Sequence, residues 1–214
     1  MKRLAWASLV AALAIGMVDG SSGQTQASSQ AAATPQRNWY SVTIVTLKPE
    51  MVFEWTEFQK SQTMPMQQKG GVKSRDVWQS GAPFGDGFTY GIVTPISNFA
   101  NYDQPPLVTR TLGPEGARAH ADKLRRMVSS QRTFAVQDRA ELSIPPAANA
   151  KIVGAILSDV TIVNGHAAQY EAFIKDDLLP VLKRGNVPGF SVSRTVFGGN
   201  ANEYHTIQYF ESFA

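Results

Sequence analysis

FQKSQTMPMQQKG at residues 58–70 and FIKDDLLPVLKRG at residues 173–185 are the two stretches that decide the fold. Laid on each other, they match Phe58 with Phe173, Pro65 with Pro180 and Gly70 with Gly185 at one constant offset, which also brings Val77 onto Val192. Past a one-residue slip in a hairpin loop, Tyr90 meets Tyr204 and Phe99-Ala100 meets Phe213-Ala214. Several independent matches at one spacing mark an internal repeat, and a repeat constrains architecture before any element is assigned.

Each stretch is the heart of a predicted helix. In the second, Tyr170, Phe173, Ile174, Leu178, Val181 and Leu182 recur at three- and four-residue steps and share one face. Asn164 is the expected N-cap, Gly185 the expected stop, and Pro180 removes a helical donor near the end. In the first, from about Pro49 to Gln68, Met51, Trp55, Phe58 and Gln62 keep the same rhythm and Pro65 repeats the interruption. An extended run precedes each helix, Tyr40–Leu47 and Ile152–Ser158. A Gly-rich hairpin follows each: Lys73–Ser80 with Phe88–Thr94, and Phe190–Phe197 with Tyr204–Phe210.

The first copy goes on to a helix over Pro114–Ser129, with proline at its start, and a strand over Arg132–Asp138. Its order is β, α, β, β, α, β, the ferredoxin-like plan, with an antiparallel sheet and both helices on one face. The expected fold class is therefore α+β: two tandem ferredoxin-like repeats, residues 38–143 and 150–214, packed face to face as an α/β barrel. The second repeat lacks the closing helix and strand, which leaves an edge unpaired and is read as a truncation.

Upstream, Lys2 and Arg3 precede an apolar run from Leu4 to Val18 and then small and polar residues, the plan of a secretory signal peptide over 1–27. The run is short of the roughly 20 apolar residues of a membrane span. Residues 28–37, rich in Ser, Gln and Ala, read as a disordered linker. The expected location is exported, periplasmic or secreted, with no integral span once the leader is removed. The chain has 214 residues and no cysteine, so neither disulfides nor a lipidated cysteine enter. The formal charge of +3 falls to about +2 without Lys2, Arg3 and Asp19, too little to argue for nucleic acid.

From Trp39 to Ala214 the element order, the paired Phe and Pro positions and the hairpins resemble the dimeric α/β-barrel superfamily, in particular its tandem NIPSNAP-like and antibiotic-biosynthesis-monooxygenase-like members. The resemblance implies two ferredoxin-like units forming one barrel within the chain. Such families include cofactor-independent oxygenases, haem-binding enzymes and proteins of unknown role, so fold alone does not select a function.

The three histidines, His120, His166 and His205, lack metal-site spacing, and no metal is expected. His205, beside Tyr204, lies on a strand expected to line the barrel. These two residues are the catalytic candidates, with His205 as a general base, an axial haem ligand or a hydrogen-bonded wall residue. Its counterpart in the first copy is Gly91, which makes the site asymmetric. Arg75, Trp78, Tyr90 and Arg194 are the ligand-binding candidates, since alternation aims some of them between the sheets, where an aromatic wall with few polar groups suits a small organic ligand. The alternative is that the aromatics fill the core and the arginines reach the rim. Asp176-Asp177 and the basic run Arg118, Lys123, Arg125 and Arg126 read as solvated faces, and the Gly-rich loops as turns. The function expected is thus small-ligand binding without a fixed cofactor, a cofactor-independent or haem-dependent monooxygenase-like activity, or an interaction module with a filled barrel. An oligomer is compatible with each.

Overall fold

Alternating strands and amphipathic helices need a layer on which to bury their apolar sides, and here that layer is one sheet. The computed structural model describes residues 38–82 and 85–212; the leader and linker expected over 1–37 lie outside them. Seven antiparallel strands run in the order β2-β3-β1-β4-β6-β7-β5. They are β1 (Trp39–Leu47), β2 (Asp76–Gln79), β3 (Thr89–Ile96), β4 (Val128–Asp138), β5 (Gly154–Thr161), β6 (Gly189–Phe197) and β7 (Glu203–Phe210). The α+β class and the ferredoxin-like order are those expected. The two expected sheets, however, are one: β4 pairs with β6, with Val136 opposite Thr195 and Asp138 opposite Ser193, and so joins the halves edge to edge. The joined sheet curls until the Trp78 ring of β2 comes within 6.5 Å of the Tyr209 ring of β7.

Each half carries one long helix in three segments. The first is α1 (Val52–Phe58), a π-helical turn (Gln59–Thr63) and α2 (Met64–Lys69); the second is α4 (Ala167–Phe173), a π-helical turn (Ile174–Leu178) and α5 (Leu179–Arg184). Every boundary steps by 115 residues (52 to 167, 59 to 174, 64 to 179). Pro65 and Pro180 explain the segments. Each sits in the first turn of its second α-segment and cannot donate, and the widened π-helical turn before it absorbs the missing bond. At the ends, Gly71 takes φ +87° and Asn186, its counterpart, takes φ +50° as the one described non-glycine residue in that region. Asn164 is not the cap of α4. His166 holds the N-cap position without a side-chain bond to the helix backbone, and the Asn164 side chain accepts from Asn202.

The third helix, α3 (Leu107–Met127), starts earlier than expected and bends at Gly113, whose φ of +72° lies outside the helical region. Pro114 opens the stretch beyond that bend, and Ser129 already belongs to β4. Strand alternation puts Val45, Leu47 and Tyr90 on the helix side, where they bury with Trp55, Phe58 and Met127. The second half repeats the layer with Phe190, Val192 and Tyr204 under Ile174, Leu179 and Leu142. Among the described residues no helix is long and apolar enough to cross a membrane.

Adjacent positions on the second helix test this layering. Ile174 is fully buried, so Ile174→Ala is expected to cost about 2–5 kcal/mol, whereas Phe173→Ala, on the half-exposed side, stays within about 1 kcal/mol; chemical denaturation of both variants measures the contrast.

Candidate functional site

The face of the sheet turned away from the helices is concave and holds a cluster of polar side chains around His205. Period-two alternation fixes its members. Since Val45 and Leu47 face the helices, Tyr40, Val42, Ile44 and Thr46 face the concave side, opposite Val136, Phe134, Arg132 and Ser130 of β4. On β7 the same parity places His205, Ile207 and Tyr209 there, with Ser193 and Asp159 directly opposite His205 on either side.

His205 is buried and stacks on Phe134, ring centroids 4.8 Å apart and planes 25° off parallel. Its Nδ1 lies 2.6 Å from Asp159 Oδ1, and its Nε2 lies 2.8 Å from the hydroxyl of buried Thr195. A carboxylate only accepts, so the Nδ1–H donates to Asp159 and, in the neutral ring, the Nε2 lone pair accepts from the Thr195 O–H. Asp159 sits on the edge strand β5 with its side chain half exposed, which connects the buried ring to solvent. Beside them, Arg132 Nη2 donates to Glu203 Oε2 at 2.7 Å while its guanidinium covers Phe134 at 4.8 Å. The cluster is thus one aromatic ring, one imidazole and two carboxylates held by four strands.

Further along the concave face, Tyr40, Trp78 and Tyr209 form a second group. Burial, and then the nearby Asp138 and Asp76 carboxylates, push the Tyr40 phenol up, and burial pushes the Asp138 carboxyl up as well. Gly91, opposite both Ile44 and Trp78, leaves room between them where a side chain would stand.

The other candidates are placed differently. Tyr204 neighbours His205 in sequence and therefore points to the opposite face. Its hydroxyl donates to Glu171 Oε1 at 2.6 Å, its ring meets Tyr170 edge-on at 4.9 Å, and burial followed by Glu171 pushes its phenol up to about 12. Arg139 grips the same Glu171 with both terminal nitrogens, Nη2 to Oε2 at 2.7 Å. Burial alone would raise the Glu171 carboxyl; the bonds from Arg139 and Tyr204 hold it below its ordinary range. Arg194 lies over the Tyr204 ring at 5.4 Å and donates through Nε to the Ala201 carbonyl. Tyr90 packs on Trp55 at 4.5 Å. These residues fasten helix to sheet. Arg75 precedes β2, its Nη1 buried without a partner and its guanidinium pushed down to about 10 by burial. Of the six, only Trp78 and His205 lie on the concave face, Trp78 against Tyr209 and His205 against Phe134.

Both ring nitrogens of His205 are bonded, so a haem iron would reach Nε2 only in place of the Thr195 hydroxyl, while the Asp159 bond at Nδ1 and the Phe134 stack on the ring face would stay as they are. Among the described residues no three His, Cys, Asp or Glu side chains group as a metal site. Asp159, Thr195, Phe134, Arg132 and Glu203 did not stand out in the sequence. Asp159 stands opposite His205, Thr195 two residues from its other neighbour Ser193, and Glu203 two residues from His205 itself, while Phe134 and Arg132 enter from β4 through its pairing with β6; none of this is readable before those strands are known to be neighbours.

No family model matches the chain, and no curated protein matches it either. Solved structures do share the fold. A candidate monooxygenase from Fusobacterium nucleatum superposes with a TM-score of 0.55 at 7% identity, over 82% of this chain and 76% of that one. An anthrone oxidase-like protein superposes with a TM-score of 0.51 at 9% identity, over 82% of this chain and 74% of that one.

The tautomer assigned to His205 is directly measurable. ¹⁵N NMR of the imidazole at neutral ring charge is expected to show a protonated Nδ1 and a bare Nε2, and Asp159→Asn to perturb Nδ1 most; a ring protonated at Nε2 alone would contradict the arrangement.

Proposed function

We propose that this is an exported protein whose concave sheet face binds a small planar aromatic molecule carrying a hydroxyl group. The observation that carries this reading is the buried His205, fixed by Asp159 and presenting its Nε2 lone pair to a hydroxyl, on a face that also carries Tyr40, Trp78, Phe134 and Tyr209. Aromatic walls supply the burial, and one oriented acceptor supplies the selectivity for a hydroxyl over a hydrogen. A ligand hydroxyl that takes the place of the Thr195 hydroxyl meets the same lone pair at hydrogen-bond distance.

The second reading is a monooxygenase-like enzyme, and the Asp159–His205 pair is what favours it. An imidazole oriented by a carboxylate accepts a proton from a bound hydroxyl and shares the resulting charge with Asp159. The names of the structural neighbours, a candidate monooxygenase and an anthrone oxidase-like protein, accord with that chemistry. We also propose that the two halves descend from one duplicated unit in the NIPSNAP-like manner, a reading supported by the constant step of helix boundaries. Export rests on the leader pattern of residues 1–27.

2-Naphthol is a suitable probe because it is planar, fluorescent and hydroxylated. Titration into the protein is expected to give saturable binding that weakens at least about tenfold in His205→Gln and in Trp78→Ala, while naphthalene, which has no hydroxyl, binds both His205 forms equally. Oxygen uptake with the bound naphthol that disappears in Asp159→Asn supports the enzyme; binding unchanged in both variants refutes the site.

A further inference from the structure

The concave face has the opposite charge to the chain that forms it. The chain carries a formal charge of +3, yet the charged side chains that its strands turn to this face are Asp76, Asp138, Asp159 and Glu203 against Arg132 and the titratable His205. Register fixes that membership, because directly opposed residues of antiparallel strands share a face. Asp138 stands opposite Ser193, Ser193 opposite His205 and His205 opposite Asp159, one row across β4, β6, β7 and β5. Asp76 opens another row, through Val93 and Val42 to Phe134.

Two of the four carboxylates are answered: Asp159 accepts from His205, and Glu203 from Arg132. Asp76 and Asp138 form no ion pair among the described residues. The arginines beside them in sequence do not supply one, since Arg139 is held by Glu171 on the helix side and Arg75 leaves its Nη1 buried and unbonded. Burial pushes the Asp138 carboxyl up, the sign of a charge held without a counterion.

Aromatic rings surround this pair. Tyr40 is the group on which both carboxylates act, its phenol pushed up by burial and then by Asp138 and Asp76. Trp78, two residues after Asp76 and on the same face, meets Tyr209 at 6.5 Å with the ring planes 53° apart, an open corner rather than a stack. Ser191 Oγ donates to the Tyr209 hydroxyl at 3.4 Å. All three rings are partly exposed. Ring faces and carboxylates attract the same kind of guest, a cation with an organic surface. A bare divalent ion calls for about six oxygen ligands and gains nothing from the rings. A neutral aromatic molecule would cover both carboxylates and leave them without a counterion.

We propose that this end of the concave face holds an organic ammonium group, so that the ligand is a hydroxylated aromatic amine with its hydroxyl at His205 and its ammonium among Asp76, Asp138, Tyr40, Trp78 and Tyr209. The assignment rests on the reading of the concave face as a site for a hydroxylated aromatic molecule and adds the second group of that molecule. Asp138 and His205 are two strand spacings apart, about 10 Å, a span that a phenol with a short aminoalkyl arm bridges.

Tyramine and its uncharged isostere 4-propylphenol test this by titration calorimetry on the full chain at neutral pH. Tyramine is expected to bind at least about tenfold more tightly than 4-propylphenol, and that ratio to fall below about threefold in Asp138→Asn and in Asp76→Asn, whose folding is checked by circular dichroism. A ratio that survives His205→Gln but not Asp138→Asn supports the ammonium site independently of the hydroxyl. Equal binding of the two probes, weakened in His205→Gln, overturns the ammonium site and leaves the hydroxyl reading standing. A ratio unchanged in both aspartate variants overturns it as well, and binding of neither probe overturns both readings.

Discussion

The pairing of β4 with β6 is the interaction on which the rest of the molecule depends. It is the only join between the strands of the two halves in the described sheet, and it runs from Ala135 opposite Phe197 to Asp138 opposite Ser193, with a register shift between Ala135 and Val136. Phe99 supports it from the helix side, packing edge-on against Trp39 at 5.3 Å and Phe197 at 5.5 Å. The contacts of Phe134 and Arg132 in the concave cluster follow from it. Phe134 comes from β4, Thr195 from β6, His205 from β7 and Asp159 from β5, so the stack on one side of the imidazole crosses the join while its hydrogen bonds stay within the second half. Without the join His205 would face solvent in place of Phe134, and the curl that brings Trp78 to Tyr209 would have no cause.

The two halves are alike in frame and unlike in chemistry. In both, a tyrosine of the last hairpin strand packs on an aromatic residue of the long helix, Tyr90 on Trp55 and Tyr204 on Tyr170. The next residue differs: Gly91 leaves space, and His205 fills it with a titratable ring. The anchoring differs too. Tyr204 donates to Glu171, which Arg139 clamps, whereas Tyr90 sits in a wholly apolar cluster. A duplicated scaffold thus supports one polar site, built where the second half meets the first.

The parts of this arrangement legible in the sequence are those governed by local periodicity. Helical spacing from Tyr170 to Leu182, the matched prolines and the Gly-rich turns lead directly to the element order. The π-helical turns were not legible, because a proline near a helix end signals a disturbed hydrogen bond without saying how the backbone absorbs it. The joined sheet was not legible either, since β4 and β6 lie some fifty residues apart and nothing local tells an edge that pairs within the chain from one that faces another sheet. For the same reason His205 stood out as an isolated histidine on a strand, while Asp159 and Thr195, ordinary residues on neighbouring strands, did not. Alternation also separates what sequence proximity groups: Tyr204 and His205 are adjacent, yet one fastens a helix and the other lines the concave face.

A crystal structure of the protein soaked with 2-naphthol examines the central claim most directly. The account predicts the naphthol ring against Trp78 and Phe134, with its oxygen within about 3 Å of His205 Nε2 and the Thr195 hydroxyl turned away. Naphthol seated only in a surface groove beside Phe173, with the Thr195–His205 bond intact, would contradict it.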